Sequence, residues 1–180
     1  HEGRLVLNLQ ELSVTTAILS QEIVALAERV IRENAAAGRK VTVAESCTGG
    51  LVCAALTEVP GSSAVLDRGF VTYSNEAKQQ LLGVSEDILE AFGAVSPATA
   101  WAMAQGALAN SHADVAVSIS GIAGPGGGTA MKPVGTVVFA CAHRGQGRES
   151  VNAEQRLLDG QDRGTIRAQA TLVALELLLP

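Results

Sequence analysis

Aromatic side chains are nearly missing from this 180-residue chain, where three Phe, one Trp and one Tyr make up 3 %. Without large rings, a core has to be built from Ala, Val, Leu and Ile. The material is there, since 47 % of the residues are hydrophobic and the mean hydropathy is +0.25. That excludes a disordered chain, because enough apolar surface exists to offset the ordering entropy. It suits helices packed on a buried sheet. Cysteine is scarce as well: Cys47, Cys53 and Cys141 are odd in number and form no C-x-x-C pair. A disulfide framework is thereby excluded, and a reducing, cytoplasmic setting is expected. His1, His112 and His143 stand apart from one another and from the cysteines. Zinc-ligand spacing is absent, so no metal is expected. Positive charge is short: the formal net charge is −5, the pI about 5.2, and Lys and Arg occur singly. A nonspecific nucleic-acid surface needs clustered cations, so nucleic acid is excluded as a partner. No apolar run approaches the roughly 18–20 residues of a membrane span. Leu172 to Leu179 comes nearest but is broken by Glu176. No segment reads as a signal peptide.

What is present is an alternation of helix and strand periods. The length favours one domain, placed at 20–180. Residues 1–19 are weakly patterned and read as an N-terminal arm, its His1-Glu-Gly-Arg4 start partly foreign to the domain. Ile23, Val24, Ala27, Val30 and Ile31 share one helical face, closed by Gly38. Lys40 to Ala44 alternates as a strand, and a Gly-bearing turn leads into helical spacing from Leu51 to Val59. A second strand spans Ala64 to Tyr73, followed by short helices at Asn75–Leu82 and after Ser85. Ser96-Pro97 marks a strong helix start. Asp114–Ser120 and Val134–Ala142 read as strands, a fifth lies around Glu149–Arg156, and Asp162 caps a last helix. This order predicts a three-layer α/β/α sandwich with a mixed, mostly parallel sheet and a C-terminal β-hairpin.

Three segments could carry chemistry. Ser46 follows a strand and precedes a helix, where unpaired backbone N–H groups can bind an anion or stabilise an oxyanion. Thr48, Gly49 and Gly50 would let a ligand approach the backbone. The plain alternative is that Ser46 or Thr48 only caps the helix. A G-x-S-x-G elbow is excluded, because Ala44 stands at the first glycine's place. The second segment, Thr72 to Lys78, holds the only tyrosine, Tyr73, and a lysine one turn later. Lysine with a depressed pKa can serve as a base and tyrosine as a proton donor or relay. Otherwise Lys78 is a solvated helix residue and Tyr73 a half-buried strand end. The third is the glycine-dense loop Gly121–Gly128 after an apolar strand, with Lys132 beyond it. Such a loop can offer N–H groups to a phosphate or simply connect two strands. It lacks P-loop spacing, and no dinucleotide fingerprint occurs. The carboxylates Glu45, Asp67, Glu76, Asp159 and Asp162 are dispersed, and Cys47 reads as a core residue.

Six stretches occur in order: Ala44-Glu-Ser-Cys-Thr-Gly-Gly50, Pro60-Gly-Ser-Ser63, Gly69-Phe-Val-Thr-Tyr-Ser-Asn-Glu-Ala-Lys78, Gly93-Ala-Val-Ser96, Ser120-Gly-Ile-Ala-Gly-Pro-Gly-Gly-Gly-Thr129 and Lys132-Pro-Val-Gly-Thr136. Together they resemble the C-terminal domain of the competence/damage-inducible protein CinA, a family that also includes the stand-alone nicotinamide-nucleotide amidases, PncC. The resemblance spans about residues 20–179. It implies hydrolysis of the carboxamide of nicotinamide mononucleotide to nicotinate mononucleotide and ammonia, in pyridine-nucleotide salvage, without a cofactor. It further implies Ser46 as nucleophile and Tyr73 and Lys78 as its activating partners. Thr48, Gly49 and Gly50, together with Ser120, Gly121, Gly124, Gly126 and Gly127, are then expected to hold phosphate, ribose and oxyanion. Lys132 and Arg167 are the expected phosphate cations. Two departures stand out. Ser120 replaces a common Thr, and Gly160-Gln-Asp-Arg163 carries one residue more than the family's Gly-Asp-Arg, which weakens a direct role for Arg163. A homo-oligomer is expected for a small Ala/Leu-rich enzyme of this class. The rival reading is a noncatalytic nucleotide-sensing or interaction module, against which the joint presence of Ser46, Tyr73 and Lys78 speaks.

Overall fold

The computed structural model describes residues 18–160 and 162–180. All of the expected N-terminal arm except Ile18 and Leu19 therefore lies outside the described residues. Helix starts follow local capping chemistry. Helices α1 (Gln21–Ala36), α3 (Asn75–Leu82), α4 (Glu86–Phe92), α5 (Pro97–Ala109) and α6 (Arg163–Leu177) each begin after a Ser or Asp whose side chain accepts a first-turn amide. The exception is α2 (Leu51–Thr57), where left-handed Gly50 stands at the cap with no side chain to offer.

Five strands form one mixed sheet in the order β2-β1-β3-β4-β5. They are β1 (Val41–Glu45), β2 (Leu66–Val71), β3 (Val115–Gly121), β4 (Thr136–His143) and β5 (Asn152–Leu157). β1 pairs in parallel with both β2 and β3, while β3–β4 and β4–β5 are antiparallel. Expected boundaries move in several places. β2 ends at Val71 and not Tyr73, β4 starts at Thr136 and not Val134, and α2 stops at Thr57. Two further shifts are made by 3-10 turns. A 3-10 turn, Ser62–Ala64, takes the first residues assigned to the second strand. Another, Arg148–Ser150, delays β5 to Asn152. At the first of these, Ala64 and Val65 close a turn instead of joining a ladder; at the second, the polar Arg148-Glu149-Ser150 forms the turn.

Strand periodicity sorts the core into two layers. Val115, Val117 and Ile119 of β3, with Val137 and Phe139 of β4, face α1, α2 and α6. Their neighbours Ala116, Val138, Ala140 and Ala142 face α5, with α3 and α4 packed against it. The α5 face is lined almost wholly by small side chains, and α5 itself carries buried Ala100, Ala104, Gly106 and Ala107. Helix and sheet approach closely enough for Ser118 Oγ to donate to the Ala100 carbonyl at 2.6 Å. At Gly106 a Cβ would run into the Leu82 carbonyl, so this glycine is what lets α5 meet the end of α3. An aromatic-poor composition is thus the outcome of close α5 packing, with alanines where another fold would place rings.

Candidate active site

In parallel α/β sheets, the carboxyl ends of the strands are where side chains from several elements converge. Here β1 and β2 run one residue further as single bonds. Ser46 N–H donates to the Ile119 carbonyl at 2.9 Å, and Thr72 N–H donates to that of Glu45 at 2.8 Å. Ser46 and Thr72 are therefore fixed by the ladder itself. Lys78, in the first turn of α3, reaches back between them and is 1 % exposed. Its Nζ lies 3.0 Å from Ser46 Oγ, 2.9 Å from the Thr72 carbonyl and 3.2 Å from the Tyr73 carbonyl.

That partner set has a chemical meaning. A neutral lysine has two N–H donors and one lone pair. As an ammonium Lys78 donates to all three oxygens; once it is neutral, its two donors can stay on the carbonyls and its lone pair is left facing the Ser46 hydroxyl. Burial also holds the Lys78 pKa below the ordinary lysine range, because the ammonium loses its hydration. Cys47, the neighbouring nucleophile by chemistry, is pushed the other way: burial lifts its thiol to about 11, which keeps it protonated and inert.

The turn after Ser46 is supported from two sides. Glu45, 0 % exposed, turns its carboxylate onto the start of α2, accepting from Val52 N–H at 3.0 Å and Cys53 N–H at 3.1 Å. It supplies the cap that Gly50 cannot. From α6, Arg167 donates through Nε to the Cys47 carbonyl at 3.0 Å and through Nη2 to the Thr48 carbonyl at 3.3 Å. Gly49 and Gly50 make the turn with φ of +58° and +102°, which side-chain-bearing residues rarely adopt. Within it, Gly49 N–H closes onto the Ser46 carbonyl at 3.0 Å. The amides of Cys47 and Thr48 have no acceptor among the described residues. Buried Thr48 Oγ1 and Thr72 Oγ1 are likewise without partners.

Ser46 and Lys78 open into a cleft of about 170 Å³ that Cys47, Tyr73, Ser120, Gly121 and Arg163 also line. Ser120 Oγ donates to the Ala94 carbonyl at 2.7 Å, tying the cleft's apolar wall of Ala94 and Val95 to β3. At the mouth, Arg163 donates to the Gly124 carbonyl at 2.8 Å and to the Tyr73 hydroxyl at 3.0 Å. No group of His, Cys, Asp or Glu among the described residues is arranged to hold a metal ion. Nor is any described helix long and apolar enough to cross a membrane.

The match to known proteins runs over the same segments. Residues 23–180 match the family model of the CinA C-terminal domain. The chain belongs to the CinA C-terminal domain family. It is similar to the nicotinamide-nucleotide amidohydrolase PncC of Escherichia coli strain K12, 52 % identical over 158 residues that cover 87 % of this chain and 93 % of that one. A putative competence-damage inducible protein of Caldicellulosiruptor bescii is 53 % identical over 139 residues, 77 % of this chain but 33 % of the relative. The chain thus spans nearly the whole of the short relative and about a third of the long one. Among solved structures, the competence/damage inducible protein CihA of Agrobacterium tumefaciens superposes with a TM-score of 0.85 at 48 % identity, covering 90 % of this chain and 96 % of that one.

Set against the expected site of a CinA C-terminal domain, the cleft gathers Ser46, Tyr73, Lys78, Ser120 and Gly121. It does not gather the rest. Tyr73 turns its phenol, on a side chain 63 % exposed, toward Arg163, and its bond to Lys78 is made by its backbone carbonyl. Thr48 is fully buried beside the turn. Gly126 and Gly127 lie outside the cleft, and Gly124 contributes a carbonyl to Arg163. Part of the glycine loop answers to packing: a Cβ on Gly124 would lie 2.6 Å from Val134 Cγ1. Lys132 Nζ is spent on the Phe92 carbonyl at 2.8 Å, and Arg167 is spent on the Ser46 turn. Two residues stand at the site without a role expected from the sequence. The extra residue before Arg163 argues against it there, although the Gly-x-Asp-Arg pattern is a signal for it. Glu45 reads in the sequence as one of several dispersed carboxylates, and the missing side-chain cap at Gly50 is the clue to its contact with α2.

Proposed function

We propose that this chain hydrolyses the carboxamide of nicotinamide mononucleotide to nicotinate mononucleotide and ammonia, with Ser46 as nucleophile and Lys78 as base. One observation carries the reading: a fully buried lysine whose two donors are taken by carbonyls and whose remaining position faces Ser46 Oγ at 3.0 Å. The PncC relative's name supplies the substrate. Lys78 takes the Ser46 proton as Oγ attacks the carboxamide carbon, and the carbonyl oxygen becomes an oxyanion facing the free amides after Ser46. Lys78 returns that proton to the nitrogen, and the C–N bond breaks to release ammonia and leave an ester on Ser46. Water then attacks the ester, giving one proton to Lys78, which passes it to the departing Ser46 Oγ. Nicotinate mononucleotide leaves as its carboxylate, the water's second proton passing to solvent and on to the released ammonia.

The cleft's dimensions fit this division of the substrate. About 170 Å³ is below the roughly 300–1,000 Å³ of whole-ligand pockets, so it takes the pyridine and carboxamide while ribose and phosphate stand at the mouth. Arg163, placed there with an exposed guanidinium held by Tyr73, is the cation for the phosphate. Ammonia release from nicotinamide mononucleotide by wild type and Ser46→Ala tests the assignment. The variant is expected to bind the nucleotide and release no ammonia. Undiminished turnover in it would remove Ser46 from the mechanism, and binding without turnover by the wild type would favour a nucleotide sensor.

A further inference from the structure

Arg167 is a cation beside the nucleophile that does not line the Ser46 cleft and makes no ion pair among the described residues. Its guanidinium is used on two backbone carbonyls, those of Cys47 and Thr48, and a Cβ at Gly49 would sit 3.4 Å from its Nη2. Each carbonyl shares a peptide unit with the following N–H. A cation bound to the Cys47 oxygen withdraws electron density from the 47–48 peptide and makes the Thr48 N–H a stronger, better-fixed donor. The three amides nearest the nucleophile then have distinct fates. Ser46 N–H is consumed by the Ile119 carbonyl, whereas those of Cys47 and Thr48 are free among the described residues. The conjugate oxygen of the Cys47 N–H, on Ser46, accepts from Gly49 N–H, and the conjugate oxygen of the Thr48 N–H, on Cys47, accepts from Arg167.

We infer that Arg167 is a positioning residue for the amidase reaction: it holds and polarises the Cys47–Thr48 backbone as oxyanion donor and does not bind the substrate's phosphate. Glu45 anchors the other end of the same turn by fixing the start of α2, so the donors are held between a carboxylate below and a guanidinium from α6. Preorganised donors act on charge that develops only in the transition state. Losing their support therefore lowers kcat and leaves ground-state binding in place.

This inference rests on the serine-amidase reading, and the experiment separates the two. Turnover of nicotinamide mononucleotide and of its phosphate-free riboside is measured for wild type, Ser46→Ala, Arg167→Gln and Arg167→Lys, with thermal unfolding to score folding. Arg167→Gln is expected to lose roughly 10- to 100-fold in kcat, less than the 10²–10³ of removing a donor outright, with KM for the nucleotide within about twofold. The fractional loss is expected to be the same on the riboside, and Arg167→Lys, which keeps the cation, is expected to recover part of it. A raised KM for the nucleotide with kcat kept and the riboside unaffected would make Arg167 a phosphate ligand and overturn the inference. Unchanged kcat in both variants would overturn it too. Should Arg167→Gln not fold, the same kcat and KM split in Arg167→Lys decides. Full activity of Ser46→Ala would instead sink the underlying mechanism, whatever Arg167 does.

Discussion

Replacing Lys78 by Met separates the chemistry of the site from its stability. The ammonium makes three hydrogen bonds, each worth about 1.5–3 kcal/mol when the donor is charged. Against this stands the desolvation of an ion that is 1 % exposed, a cost of several kcal/mol. Met is unbranched, of similar length and apolar, so it follows the same channel, removes the desolvation cost and adds buried apolar surface. It also leaves two carbonyls and a hydroxyl without their donor. The opposing contributions nearly cancel, and Lys78→Met is expected to change unfolding free energy by no more than about 2 kcal/mol in urea titrations. Activity is a different matter. Losing the base proposed for Ser46 is expected to lower kcat by about 10²–10⁴-fold in an ammonia-release assay.

The pH dependence supplies a second axis. Because burial lowers the folded-state pKa of Lys78 below the 10.5 ordinary for lysine, the folded chain binds fewer protons than the unfolded chain between those two values. In that window Lys78 makes stability rise with pH, and the destabilising contribution is fully present below the folded pKa. The wild type is expected to show this alkaline gain together with a kcat/KM limb that rises below the ordinary lysine range. Lys78→Met should lose both. A variant that keeps more than a tenth of wild-type turnover, or whose stability still rises over the same window by the same amount, would refute the reasoning.

Three further outcomes follow from single contacts. Glu45→Ala removes two charge-assisted bonds and strands the Val52 and Cys53 amides, so a loss of about 3–5 kcal/mol is expected in urea unfolding, with Glu45→Gln losing less; a loss below about 1 kcal/mol in the alanine variant would contradict the capping role. Gly106→Ala drives a Cβ into the Leu82 carbonyl, and a drop of about 1–3 kcal/mol read from thermal unfolding is expected as α5 moves off α3; an unchanged melting temperature would show that the helices yield freely. Arg163→Gln should raise KM for nicotinamide mononucleotide by roughly tenfold with kcat retained, the effect vanishing on the riboside. Equal KM values for wild type and variant would remove Arg163 from phosphate binding.

Local rules carried far in this chain because its signals are local. Ser85, Ser96 and Asp162 each announce a helix and make the cap that their chemistry calls for, as Ser20 and Ser74 do in the structure. Strands such as Asp114–Ser120 are legible as apolar runs, and the structure sorts their alternate residues onto opposite faces of the sheet. Strand limits slipped where the backbone closes 3-10 turns, since Ala64 and Val65 look the same in a turn as in a strand. The site was legible as a set of segments. The order of Ser46, Tyr73 and Lys78 along the chain says nothing of which atom of Tyr73 meets Lys78, and the answer is its carbonyl. Arginines were harder still. Arg163 and Arg167 sit one helical turn apart on α6, and the geometry of that turn sends one to the cleft and the other to the Ser46 backbone.

Composition and pattern alone determined an acidic, aromatic-poor α/β chain with no metal-ligand spacing, and the ordered motifs pointed to its family. Periodicity, capping residues and turn glycines act within a few residues of one another, so they can be read in a line. Tertiary structure alone decided the protonation chemistry and the allocation of charges. Lys78 has a lowered pKa because α3 buries it between carbonyls at the end of β2 and Ser46 at the end of β1. Glu45 becomes a helix cap because the β1 ladder holds it beneath α2. A pKa and a hydrogen-bond partner depend on what surrounds an atom in space, and that surrounding is drawn from segments far apart in sequence, 120 residues in the bond from Arg167 to Cys47.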